Sequence, residues 1–364
     1  MTTTTTTTKT KTAAPSPSGD QKTPSRLSFV LARVKGDGWG DVMFVPLVLG
    51  ALVLYLSFST EFFLTSLNLT NLLTQAAVLA VVSFGLTFVI LSGELDLSVG
   101  AGVALASVVG AMVMRDNGGS ILLGLIATLG IGLLIGLVNG LIVTKLEVPS
   151  FIATLGMMTI AGGVALALTN GAVVGGVPVG LGNLVTESFL GVRWVLWLVL
   201  AVFAALFFVQ AQTGFGVRVF AVGGNREAAR LSAVPVDRVR LYCFLLTGLC
   251  VGIGAFILLA RVQSGQPNSG GLLSLTAIAA IVVGGNNLLG GRGSISRTFW
   301  GVLLIAVLTN GLQLKGIDDS VQQIVIGVVF IAAASADFVR RISRRRRLRL
   351  DTKDVSPADP AASP

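Results

Sequence analysis

Few polar side chains in this chain could act on a solute, and they cluster. Glu94, Asp96 and Ser98 occupy the turn Gly93–Gly100 between two apolar stretches, and Asn139, Asn286, Asn287 and Asn310 lie in or beside others. Two readings of the turn are open. It can be a solvated turn with an acidic helix start, or a broken helix whose polar backbone lines a path; in the second case Asp96, preceding Ser98, would cap the helix that follows. The same choice applies to Asn286, Asn287 and Gly290–Gly293. Other chemistry is excluded by what the sequence lacks. It has no histidine, hence no imidazole base, histidine metal site or histidine proton relay. It has no Gly-Lys pair, so a phosphate-cradling loop of the usual form is missing. Nor does it hold a chain of mid-helix carboxylates of the kind a proton-driven carrier needs. We expect no cofactor, no metal and no enzymatic activity of its own.

A second candidate lies in the polar interval 211–240. Gly223-Gly224-Asn225 precedes Arg226-Glu227-Ala228-Ala229-Arg230-Leu231-Ser232. Asn225 is a good N-cap, and Glu227 in the first turn suits the positive helix end. A short helix follows, placed where a soluble partner could reach it, or else solvated without one.

The elements that must position these residues are membrane helices. The chain has 364 residues, 53% hydrophobic and 12% charged, against about 25% charged in an ordinary soluble domain. Lipid can solvate such a surface, and close helix packing in lipid accounts for many of the 45 glycines. Ten apolar stretches are long enough to cross, or nearly cross, about 30 Å of hydrocarbon: Val42–Ser59, Leu72–Leu91, Leu97–Met114, Ile121–Val143, Phe151–Leu168, Val195–Val209, Leu241–Ala260, Leu272–Leu289, Trp300–Leu314 and Val321–Phe338. The expected fold is an all-α polytopic membrane protein. Barrel strands would alternate apolar and polar residues, and Ile121–Val143 does not. Gly132, Gly136 and Gly140 form a ridge at helical spacing, which Gly248 and Gly252 repeat, as helices in close contact require. Cys243 and Cys250 fall inside one apolar run and read as buried thiols.

Charge fixes an expected orientation. With both termini in the cytoplasm, all 26 Lys and Arg except Arg115, Arg193, Arg261 and Lys315 fall on the cytoplasmic side, as the positive-inside rule demands. The same assignment explains the net charge of +9 and the arginine run after Phe338 without nucleic acid. The expected domains are a low-complexity tail (1–41), a membrane domain (42–338) with its loop at 211–240, and a basic then polar tail (339–364).

Four motifs, in order, resemble one family. Gly223-Gly224-Asn225 with Glu227-Ala228-Ala229-Arg230-Leu231-Ser232 resembles the cytoplasmic loop of ribose- and xylose-type sugar permeases of ATP-binding-cassette importers. Gly93-Glu94-Leu95-Asp96-Leu97-Ser98-Val99-Gly100 resembles that family's acidic turn. Asn139-Gly140 with Val148-Pro149-Ser150-Phe151-Ile152-Ala153-Thr154-Leu155-Gly156 resembles its next cytoplasmic turn and helix start. Ala277-Ile278-Ala279-Ala280 through Gly290-Gly291-Arg292-Gly293-Ser294 resembles its late glycine-rich segment. The resemblance implies a permease subunit in the cytoplasmic membrane of a prokaryote, surrounded by lipid. It implies pairing with a second permease subunit (a homodimer), a cytoplasmic ATPase beneath, and an extracytoplasmic sugar-binding protein that delivers substrate. Asn225–Val234 would be the ATPase-coupling helix, with Glu227, Ala228, Ala229 and Leu231 as contacts. Ser274 and Thr276 replace the Glu and Asp usual in ribose-type members, which widens the solute to another monosaccharide or small polar molecule. Asn139, Asn170, Gln263, Asn286, Asn310 and Gln313 could meet its hydroxyls. The rival readings are a self-sufficient secondary transporter or channel and a membrane-embedded enzyme.

Overall fold

The structure is a computed structural model that describes residues 39–332 and 335. Most of both expected tails and the end of the last apolar stretch lie outside the described residues. The helices are α1 Trp39–Ser59, α2 Ser66–Leu91, α3 Val99–Asp116, α4 Ile121–Lys145 and α5 Ser150–Thr169. A 3-10 turn (Val179–Gly182), a one-turn helix (Asn183–Thr186) and a hairpin of two-residue strands, β1 Ser188–Phe189 and β2 Val192–Arg193, come next. Then follow α6 Trp194–Gln212, α7 Gly214–Gly224, α8 Arg226–Leu231, α9 Val236–Val262, α10 Leu273–Val283, α11 Ile295–Leu314 and α12 Asp319–Ala332. Hydroxyls set several starts: Thr65, Ser120 and Ser294 each accept a backbone N–H from the first turn of the helix they precede.

Among the described residues seven helices, α2 to α6, α9 and α11, are long and apolar enough to cross a membrane. The expected count of ten is not confirmed among the described residues. Leu272–Leu289 holds a helix of only 11 residues, because Gly284-Gly285 and the asparagines after it break the run. The hairpin departs from all-α. Interval 211–240, expected as a loop, is mostly helix: α7 runs directly into the Asn225 cap of α8.

Packing divides the helices into an inner and an outer set. From Ala76 to Leu91 every residue of α2 is buried, enclosed by α6, α7, α9, α10 and α11; a helix apolar on all sides belongs inside. By contrast α4, α5 and α6 bury narrow stripes and turn Leu122, Ile126, Ile160, Leu200 and Phe208 outward. Their apolar outer surfaces suit hydrocarbon. Phe189 stacks on Trp194 at 5.2 Å, and Trp197 Nε1 donates to the Phe189 carbonyl, an aromatic cluster of the kind that sits at a membrane–water boundary. The most extensive helix contact joins α4 to α9. A methyl group on Gly132 or Gly248 would overlap the other's carbonyl oxygen, and one on Gly252 would come within 2.7 Å of Leu129 Cα. Cys243 and Cys250 are buried free thiols.

Candidate functional site

The residues between α2 and α3 pass through the protein interior without forming a helix. At about 1.5 Å per residue α3 is about 27 Å long and α10 about 16 Å, whereas α9 reaches about 40 Å. The first turns of α3 and α10 meet inside the bundle through Gly100 and Ser274, and Gly100 touches Gly270, just before α10, so closely that neither has room for a side chain.

The exposed amides of this broken segment must be satisfied locally, and side chains from neighbouring helices do so. Ser150 Oγ accepts from Leu95 N (3.1 Å) and Thr154 Oγ1 from Leu97 N (3.2 Å), both from α5. Ser274 Oγ, from α10, accepts from Gly100 N (2.8 Å) and donates to the Leu97 carbonyl (2.7 Å). Asp96 Oδ1 accepts from both the backbone N–H (2.8 Å) and the hydroxyl (2.6 Å) of Ser98. Asn139 Nδ2, from α4, donates to Ser98 Oγ at 2.8 Å. Asp96, Ser98 and Asn139 are all buried, so the solvated-turn reading of Gly93–Gly100 is overturned. Asn139 sits in mid-helix, not in a turn; α4 continues to Lys145.

Glu94 opens this segment and closes a charge cluster. Its carboxylate is buried and accepts from Arg240 Nε of α9 at 2.7 Å and from Arg226, the first residue of α8. Arg240 also donates to the Val143 carbonyl of α4 (3.3 Å) and lies 3.7 Å from Asp237. Beside these charges three glycine-bearing segments converge, the turn after α2, the end of α7 and the loop before α11. Gly291 N donates to the Leu91 carbonyl at 3.0 Å. A Cβ on Gly290 would approach Gly93 Cα to 2.7 Å, and one on Gly291 would approach Gly224 Cα equally closely. Gly290 and Gly291 also hold φ of 83° and 72°, where other residues are strained.

Helix α8 stands outward from this clasp. Asn225 Oδ1 accepts from Ala228 N at 3.0 Å, completing the expected cap. Glu227, Ala228, Arg230 and Ser232 are exposed, and Leu231 is 81% exposed. Ala229 is a correction: expected on the contact face, it is buried in the protein's own core. Gly223, expected with the contact residues, is held against the Leu91 carbonyl.

Of the residues expected to line a path, Asn310 faces a cleft. It exchanges hydrogen bonds with Asn68 of α2 (2.9 and 3.0 Å). The adjoining cleft of about 220 Å³ is lined by Gln75, Thr276, Thr309 and Asn310 among apolar residues. Glu94, Asp96, Ser98 and Asn139 are instead consumed by the network just described. Asn286 holds a loop, donating to Ile281 O (2.9 Å) and Thr298 Oγ1 (3.0 Å) and accepting from Ser294 N (2.6 Å). Asn287 does the same, accepting from Leu289 N and donating to Gly290 O. Asn170 and Gln263 cap the ends of α5 and α9 in left-handed conformation. The residues that sequence reasoning missed are Arg226, Arg240, Ser150, Thr154, Asn68, Gln75 and Thr309. Arg240, at the edge of an apolar run, had the clearest signal, since a charge there needs a partner.

A helical bundle with lipid-compatible flanks, a broken segment at its centre and a short exposed helix tied to that segment defines a polytopic membrane permease. The chain belongs to the family described as branched-chain amino acid transport system / permease component, whose model matches residues 68–334. It is 39% identical over 308 residues to the ribose import permease protein RbsC of Bacillus subtilis (strain 168), covering 84% of this chain and 95% of that one. The RbsC protein of Escherichia coli (strain K12) is 38% identical over 284 residues, 76% of this chain and 87% of its own length. The xylose transport system permease protein XylH of the same strain is 32% identical over 350 residues, with 79% and 89% covered.

Proposed function

We propose that the chain is the membrane-spanning permease subunit of an ATP-driven importer that carries a monosaccharide, a pentose or a similar sugar, across the cytoplasmic membrane of a prokaryote. Ribose and xylose in the relatives' names support a sugar. Helix α8 carries the reading. A large apolar side chain, Leu231, stands exposed among Glu227, Arg230 and Ser232 on a helix one residue removed from a glycine clasp. Exposed leucine on a charged, short helix suits insertion into a protein groove better than contact with lipid or water. The groove belongs to a separate cytoplasmic ATPase; Ala228 permits close approach and Glu227 pairs with basic groove residues. Two copies of the permease enclose the path, a sugar-binding protein delivers the solute from outside, and both termini are cytoplasmic. Hydrolysis moves α8, and the bundle alternates between inward- and outward-open states.

Along the path, Gln75, Thr276, Thr309 and Asn310 supply uncharged donors and acceptors for sugar hydroxyls. Their cleft, about 220 Å³, is below the roughly 300–1,000 Å³ of drug-sized sites and suits a monosaccharide. Replacing Glu227 with Arg, or deleting Asn225–Ser232, should abolish co-purification of the ATPase while leaving membrane insertion intact. Normal capture and stimulation of the ATPase by these variants would refute the assignment.

A further inference from the structure

Helix α8 and the broken segment Leu95–Gly100 are separated in sequence by four membrane helices, yet one side chain joins them. Glu94 precedes the segment directly, and its carboxylate is shared between Arg226 at the start of α8 and Arg240 at the start of α9. The two arginines differ in burial. Arg240 is 9% exposed and is also tied to α4 and to Asp237, whereas Arg226 is 44% exposed and Glu94 is its ion-pair partner. One contact is thus anchored in the bundle and the other rides on a surface helix.

The broken segment is itself suited to change state. Four of its amides, those of Leu95, Leu97, Ser98 and Gly100, are held by side chains. Such bonds can be exchanged without unwinding a helix. The buried Asn139 Oδ1, beside Ser98, has no hydrogen-bond partner in this state, and a buried acceptor left open is a cost that another arrangement can remove.

We infer that Glu94 is a positioning residue that couples α8 to the broken segment: displacement of Arg226 shifts the Glu94 carboxylate between its two arginines and loosens the Leu95–Gly100 amides from their side-chain partners. This rests on the reading of α8 as the ATPase contact, but the mechanical link can be measured without an ATPase. Arg226→Gln is the informative variant, because it removes the mobile partner and leaves the buried Glu94–Arg240 pair intact.

In the purified full-length permease, hydrogen–deuterium exchange across residues 95–100 should quicken by about tenfold in Arg226→Gln and stay near wild type in Arg226→Lys. Exchange in α2 and α9 serves as the control for global loosening. Unchanged exchange at 95–100, or equal acceleration throughout, overturns the inference whatever partner α8 has. In vesicles holding the permease with its ATPase and supplied with its sugar-binding protein, Arg226→Gln should lower ribose uptake per ATP hydrolysed by about tenfold, with the ATPase still bound. Uptake and hydrolysis falling in proportion would also overturn it. Failure of the wild-type permease to capture any ATPase counts against the proposed function instead, and the exchange result then decides the link by itself.

Discussion

Glu94 shows how one carboxylate can carry unequal bonds. Its pair with Arg240 is buried and its pair with Arg226 is half exposed. Removing one member of a buried pair strands the other, at a typical cost of about 3–5 kcal/mol, whereas an exposed pair contributes about 0–1 kcal/mol. Glu94→Gln should therefore lower the thermal stability of the detergent-solubilised protein strongly, and Arg226→Gln should barely move it. Near-equal melting shifts in the two variants would contradict the burial argument. Glu94 looked like a path residue because sequence shows a carboxylate between apolar stretches but not the two arginines, 132 and 146 positions away, that fold onto it.

Among the elements, the α4–α9 seam is set by glycines whose spacing was legible and whose partners were not. Gly132, Gly136 and Gly140 share a face of α4, but only the fold brings Gly132 and Gly136 against Gly248 while Gly140 meets the Leu241 side chain. Not every helical glycine does such work: Gly156 has no atom within 4 Å of its would-be Cβ. Gly248→Leu should prevent recovery of a monodisperse protein in detergent. Gly156→Ala should be neutral or stabilising by up to about 1 kcal/mol, the helix-propensity gain alone. Size-exclusion profiles and melting curves check both. A well-behaved Gly248→Leu variant would mean the two helices need not touch.

For the whole molecule, the segments between helices gather at two ends. Segments 92–94, 143–150, 213–235 and 284–294 meet around Glu94 and the glycine clasp, through Arg240, Gly223 and Gly290. At the other end Val174 pairs with Gly265, and Gly176 lies against Arg115. The sidedness read from lysine and arginine demands this same partition. Leu231 (81% exposed) and Val179 (85% exposed) mark the two ends, and the native cysteines are buried. With the permease expressed alone, a membrane-impermeant maleimide should label Leu231→Cys only in inverted vesicles and Val179→Cys only in intact cells. The reverse pattern would turn the molecule over and remove the ATPase from α8.

The sequence by itself determined that lipid surrounds this chain, that its elements are helices, and where the α8 cap and the glycine ridge fall, because these depend on residues close together in the chain: run length, capping and helical period. It could not separate lipid-facing from buried helices, since hydrocarbon and protein interior select the same side chains. Nor could it assign the polar residues. Only the tertiary structure decided that Asp96, Ser98, Asn139 and Ser274 hold a broken backbone, that Gln75, Thr276 and Thr309 face the cleft, and that Glu94 binds α8 to the core. A hydrogen bond or ion pair depends on distance in space, and these partners come from helices far apart in the chain.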